Sequence, residues 1–151
     1  MVGAPEYNTD EGRVYIFYSK GRTPISSGNY SIADSTLTGL ASSRFGGAIA
    51  QGDINGDGYG DIVVGATENP ANTGSVFIYQ SGGSSGISSG GTGTAFKAII
   101  GDVTVGTESY NFGDCVALGD INGDGYSDLA VGASEHRNGG GTLRGAVYIF
   151  L

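Results

Sequence analysis

The sequence predicts an all-β protein made of small antiparallel sheets stacked face to face. Three observations carry that expectation. Apolar runs such as VYIF (Val14 to Phe17) and DIVV (Asp61 to Val64) do not alternate polar with apolar residues, so their strands are covered on both faces. Glycine supplies 30 of the 151 residues, which favours tight turns over long helices. The same apolar and glycine pattern then returns along the chain, as it does in repeat architectures.

The repeat fixes the elements in order. An apolar tripeptide occurs three times, as Val2-Gly3-Ala4, Val64-Gly65-Ala66 and Val131-Gly132-Ala133, at offsets of 62 and 67 residues. Each copy precedes a polar loop and then an apolar strand: VYIF from Val14, VFIY from Val76 and VYIF from Val147. FGGAIAQGD from Phe45 and FGDCVALGD from Phe112 each lead into an acidic loop. One repeat therefore reads as four strands: GGAIAQGD, DIVVGA, GSVFIYQ and TAFKAII. In the first copy the fourth strand is weaker, around STLTGL. No window sustains the three- and four-residue apolar spacing of a helix.

The connections are too short for helical crossovers, so neighbouring strands are antiparallel. Small antiparallel sheets buried on both faces are what the stacked blades of a β-propeller produce, and such rings have typically 4–8 blades. The chain enters this pattern at the second strand of a repeat and leaves after the third. About two repeats in permuted order result: a partial blade over residues 1–40, a full blade over 41–101 and a partial blade over 102–151. The first blade lacks its first strand and the last its fourth, so a single chain forms an incomplete ring. The tract SGGSSGISSGGTGT (Ser81 to Thr94) reads as a mobile surface loop between the third and fourth strands of one blade, not as a domain boundary.

Composition excludes several functions. A net charge of −8 argues against nucleic-acid binding, which needs clustered Lys and Arg, and against anionic lipid. No apolar run approaches the roughly 20 residues that cross a bilayer, so no membrane insertion is expected. The first ten residues carry no basic segment followed by an apolar stretch and do not read as a signal peptide. The single cysteine, Cys115, excludes an intrachain disulfide and, in an apolar run, is expected to be a small buried hydrophobe.

Much of the acidity is concentrated in two loops. DINGDGYGD runs from Asp53 to Asp61 and DINGDGYSD from Asp120 to Asp128, and together they hold six of the fifteen acidic residues. Alternate spacing in a tight turn points successive oxygens at one centre. The side-chain donors are Asp53, Asn55, Asp57 and Asp61 in the first loop, and Asp120, Asn122, Asp124 and Asp128 in the second. The carbonyls of Tyr59 and Tyr126 are natural further ligands. All are hard oxygens, which selects Ca²⁺ over zinc or copper, and over Mg²⁺ with its strict octahedral geometry. Two carboxylates about 5 Å apart repel by roughly 3 kcal/mol at an effective dielectric of ~20, so a compact loop with three such pairs calls for a cation. An EF-hand is excluded, because position 12 is Val64 or Val131 and the closing carboxylate comes at position 9.

Phe45-Gly46-Gly47, the first acidic loop and Val64-Gly65-Ala66 together resemble an FG-GAP repeat, as found in the β-propeller of integrin α chains. Phe112-Gly113-Asp114, the second loop and Val131-Gly132-Ala133 repeat the resemblance, and Gly3-Ala4-Pro5 is a complete GAP triplet. The resemblance implies four-stranded blades of a seven-bladed ring. It also implies Ca²⁺ at two sites, held by Asp53, Asn55, Asp57, the Tyr59 carbonyl and Asp61, and by Asp120, Asn122, Asp124, the Tyr126 carbonyl and Asp128. About two repeats stand here where the family has seven.

The expected function is that of a non-enzymatic, calcium-stabilised adhesion or recognition module, extracellular or at the cell surface, which presents loops to a protein or glycan. The alternative is a structural subunit that self-assembles through its open blade edges, with copies of itself as partners, into a ring or fibre. A third reading is a module accompanying a hydrolase domain; no catalytic set occurs within these residues. The lone histidine, His136, has no nucleophile elbow beside it and is expected to be an exposed loop residue. The nine tyrosines are read mainly as packing residues. Asn29-Tyr30-Ser31 is an acceptor sequon that makes Asn29 a candidate for glycosylation on a secretory route.

Overall fold

The computed structural model describes residues 1–21, 25, 27–68, 73–101, 111–137 and 142–151. It is an all-β structure of three stacked sheets. The first contains β1 (Val2–Ala4), β2 (Arg13–Ile16) and β3 (Ser35–Thr38). The second contains β4 (Ile49–Gly52), β5 (Asp61–Ala66), β6 (Ser75–Tyr79) and, after the two-residue β7 (Gly90–Gly91), β8 (Lys97–Ile100). The third contains β9 (Phe112–Gly119), β10 (Asp128–Ala133) and β11 (Ala146–Phe150). Strand orders are β1-β2-β3-β7, β4-β5-β6-β8 and β11-β10-β9. Neighbours pair antiparallel, as expected, except that β7 joins β3 in parallel.

The central sheet is covered on both faces: every residue of β5 and β6 is buried. Toward the first sheet, Ile62, Val64, Phe77 and Tyr79 pack with Val14, Ile16 and Leu37 around Phe45, which is fully buried. Toward the third sheet, Val63, Val76 and Ile78 pack with Leu129 and Val131 around Phe112. Phe45, just ahead of β4, and Phe112, the first residue of β9, each set their backbone against the preceding sheet at Gly12 and Gly74, and their rings also meet aromatic residues of their own sheet. The Phe45 ring lies 5.9 Å from Phe77, and Phe112 lies 5.5 Å from Tyr148.

The glycines of the motif make this close approach feasible. A Cβ on Gly3 would collide with the Gly46 carbonyl, and one on Gly65 with the Gly113 carbonyl. Gly46 and Gly113 each adopt φ 93°, a region that only glycine occupies without strain. Within the second sheet, the residues leading into β4 are bonded to β5: Gly46 N donates to Gly65 O at 2.9 Å, and Gly65 N donates to Ala48 O at 2.9 Å. Apolar strands and close-packed glycines thus act as one device that sets sheet against sheet.

Three expectations are corrected. Cys115 is exposed, not buried. In β9, exposed Cys115, Ala117 and Gly119 alternate with half-buried Asp114, Val116 and Leu118. The exposed set turns away from the second sheet, onto a face that no described sheet covers. The Ser81–Thr94 tract is anchored and does not read as mobile. Its one large apolar residue, Ile87, is buried in the first core. Ser35 donates its hydroxyl to the Ile87 carbonyl, and Gly90–Gly91 adds the parallel strand to the first sheet. Composition hid this, because one isoleucine among serines and glycines supplies the anchor. His136 is half-buried rather than exposed, with its ring against Tyr148 and Nδ1 3.3 Å from the tyrosine oxygen.

The turn after β1 stores strain. Asn8, Thr9 and Asp10 have φ of 51°, 60° and 61°, three consecutive non-glycine residues in the left-handed region. Such a conformation costs roughly 1–2 kcal/mol per residue. It is held by Gly12 N donating to Tyr7 O (3.1 Å) and Arg44 N donating to Asp10 O (2.8 Å). Farther along, the Tyr18 N–H (2.8 Å) and the Lys20 ammonium (3.3 Å) hold the Asp34 carboxyl below the usual carboxylate range. Because Thr9 is β-branched as well as left-handed, Thr9→Gly is expected to stabilise the fold by about 1 kcal/mol, read as a higher urea midpoint. A lower midpoint would mean that the threonine side chain contributes more than its backbone costs.

Candidate metal centre

Both acidic turns sit where the first strand of a repeat hands over to the second: Asp53–Asp61 between β4 and β5, Asp120–Asp128 between β9 and β10. They share one internal architecture, built by side chains that accept from the main chain. In the first turn, the two oxygens of Asp53 accept from Asp57 N (3.1 Å) and Gly58 N (2.8 Å). Asn55 Oδ1 accepts from Asp57 N (3.0 Å), and Asp57 Oδ1 accepts from Tyr59 N (2.8 Å). In the second turn, the oxygens of Asp120 accept from Asp124 N (3.0 Å) and Gly125 N (3.0 Å). Asn122 Oδ1 and Asp124 Oδ1 accept from Asp124 N and Tyr126 N, each at 2.9 Å. These are the local bonds that favour Asp and Asn in turns.

The closing carboxylates differ from the others. Asp61 is fully buried and Asp128 is 4% exposed, whereas Asn55, Asp57, Tyr59, Asp120, Asn122, Asp124 and Tyr126 are exposed and Asp53 is half-buried. Asp61 Oδ2 accepts from Ile54 N (3.0 Å), and its Oδ1 accepts from Ser81 N (2.8 Å), at the end of the β5–β6 hairpin. Asp128 Oδ2 accepts from Ile121 N (2.7 Å) and Asn122 N (3.3 Å). Among the described residues the ion pairs are Lys20–Asp34 and Arg44 with Glu6 and Glu68, and none involves Asp61 or Asp128. A buried carboxylate without a counter-charge is costly.

All ten expected ligands are described, and each turn gathers its own five into one compact loop. The side chains are arranged for main-chain bonds: among the described residues, no group of three or more His, Cys, Asp or Glu is placed to hold a metal ion. Asn55 Nδ2, for instance, donates to Asp57 Oδ2 at 2.9 Å, and Asn122 repeats this bond to Asp124 at 3.0 Å. The donor chemistry fits a hard divalent cation nonetheless. Carboxylate and amide oxygens make up most of the polar atoms of each turn, and the two buried carboxylates have no protein cation beside them among the described residues.

Two features escape sequence reasoning. The first is the bond from Ser81 N to Asp61, which spans 20 residues. The second is direct contact between the two turns: Ser127 N donates to Asp53 O at 2.7 Å, and a Cβ on Gly56 would lie 2.5 Å from the Tyr126 ring. No spacing rule encodes either one.

Stacked antiparallel sheets, joined by glycine-mediated strand contacts and bearing matched acidic turns, define a β-propeller segment of the integrin α type. The FG-GAP repeat family model matches residues 45–79 and 112–150. Integrin alpha-4 of Xenopus laevis is 34% identical over 158 residues, covering 99% of this chain and 13% of its own length. Integrin alpha-2 of Bos taurus is 36% identical over 140 residues (88% and 11%), and integrin alpha-E of Mus musculus is 36% identical over 148 residues (89% and 12%). The chain belongs to the FG-GAP repeat family. It spans about an eighth of the length of these relatives.

Because Asp61 ties the turn to the next hairpin, its removal orphans two N–H groups at once. Asp61→Ala is expected to cost about 2–5 kcal/mol in chemical unfolding, and Asp61→Asn less, since the amide keeps one acceptor. Equal losses for the two variants would show that the hydrogen bonds are not what the carboxylate contributes.

Proposed function

We propose that this chain is a non-enzymatic, calcium-stabilised module for adhesion or recognition, extracellular or at the cell surface. The observation that carries the reading is the pair of buried carboxylates, Asp61 and Asp128, each closing a turn of oxygen donors with no protein cation beside it. Ca²⁺ would be held by Asp53, Asn55, Asp57, the Tyr59 carbonyl and Asp61, and by Asp120, Asn122, Asp124, the Tyr126 carbonyl and Asp128. The ion supplies positive charge and nothing catalytic. Two ions would move the net charge from −8 to −4 and relieve repulsion within each turn. A rigid turn in front of β5 and β10 steadies the sheet edge from which loops meet a protein or glycan. The integrin α relationship supports the extracellular setting, where calcium suffices for sites as weak as about 10⁻⁴–10⁻³ M. The negative charge argues against nucleic acid, and among the described residues no helix is long and apolar enough to cross a membrane. Exposed Asn29 would be available for glycosylation on such a route.

One observation favours a second reading, self-assembly. Val147 and Ile149 of β11 are 67% and 57% exposed, although their counterparts Val76 and Ile78 in β6 are buried against a neighbouring sheet. A second copy could cover that face. Sedimentation at high concentration separates the readings, since a strict monomer eliminates the second and leaves the first intact.

Calorimetric titration of the metal-free chain is expected to show two calcium ions bound. With dissociation constants of about 10⁻⁴ M, 1 mM calcium stabilises by about 3 kcal/mol over two sites, a Tm rise of about 6–12 °C that EDTA reverses. No uptake and an unchanged melt would overturn the calcium reading.

A further inference from the structure

We propose that the two acidic turns are one coupled unit, so that a cation bound in the second turn strengthens binding in the first. This rests on the calcium reading above and adds a relation between its two sites. Two contacts carry it. The main-chain N–H of Ser127, which lies between the candidate ligands Tyr126 and Asp128, donates to the carbonyl of Asp53, the first candidate ligand of the other turn, at 2.7 Å. The ring of Tyr126 sits over Gly56, so closely that a Cβ there would lie 2.5 Å from the ring. Gly56 has φ 72° at the apex of the first turn, between Asn55 and Asp57.

These contacts tie ligand to ligand. A cation drawn to the Tyr126 carbonyl and Asp128 fixes the backbone from 126 to 128. That segment in turn fixes the Asp53 carbonyl and the wall against which Gly56 rests. The first turn then loses less conformational freedom when its own cation enters, which is positive coupling without a change of fold. By linkage the effect is reciprocal. The sheet beneath keeps the turns in register: Gly52, just before the first turn, lies against Leu118 and Ser127, where a Cβ would meet the Ser127 hydroxyl at 2.7 Å. Among the described residues, no second acidic turn lies on the other side of the first. There the Tyr59 ring lies beside Gly83, with 3.5 Å to a Cβ built on that glycine. The coupling therefore runs between these two turns.

The test is a calcium titration of the whole chain followed by amide NMR, with Gly56 reporting the first turn and Gly123 the second. Asp124→Ala, which cripples the second turn, is expected to weaken calcium binding at the first by about five-fold or more, the lower end of typical coupling. Should that variant fail to fold, Asn122→Ala takes its place. Tyr126→Ala keeps the carbonyl but removes the ring, and is expected to weaken the first turn as well, whereas Tyr126→Phe keeps wild-type affinity there. First-turn affinity within two-fold of wild type in both Asp124→Ala and Tyr126→Ala, with calcium still bound, would overturn the coupling and leave the calcium reading intact. Calcium uptake at neither turn in the wild-type chain would overturn both.

Discussion

A buried carboxylate at the start of the second strand of each repeat is the constraint on which the site depends. Asp61 is fully buried at the first residue of β5, a strand with no exposed position. Its oxygens hold the acidic turn through Ile54 N and the hairpin end through Ser81 N. Asp128 occupies the equivalent place in β10. A charge in that position would be a liability in an ordinary sheet. Here it is met by main-chain N–H groups, and under the calcium proposal it would also face the cation.

That arrangement needs sheets held in fixed register, and the glycine contacts provide it. Phe45 and Phe112 fill the two cores, and the Gly46–Gly65 backbone bond brings the first strand of the second repeat against its own second strand. The same packing brings β4 beside β9 and so sets one acidic turn against the other. Contact between the turns follows from sheet stacking, and a metal would stiffen an interface that already exists.

Much of this was legible in the chain. Strand identities, the antiparallel rule, the permuted order of the repeat and the apolar character of both faces of β5 and β6 all follow from residues such as Val63, Val64, Phe77 and Ile78. The ten candidate ligands are legible because alternate acidic residues and glycines have few other uses at that density. What the sequence hid depends on distance or on context. Ile87 anchors a tract whose composition reads as a linker. Cys115 sits in an apolar strand, yet faces the side of the third sheet that no described sheet covers. Gly56 looks like any turn glycine, and only the fold places Tyr126 on top of it.

The most direct measurement is a crystal structure grown in calcium, read by anomalous scattering. The account predicts two peaks, one inside each turn, at about 2.3–2.6 Å from oxygens of Asp53, Asn55, Asp57, Tyr59 and Asp61 and of their counterparts from Asp120 to Asp128. Ordered turns with no peak in either, and the carboxylates bonded to main chain alone, would contradict it.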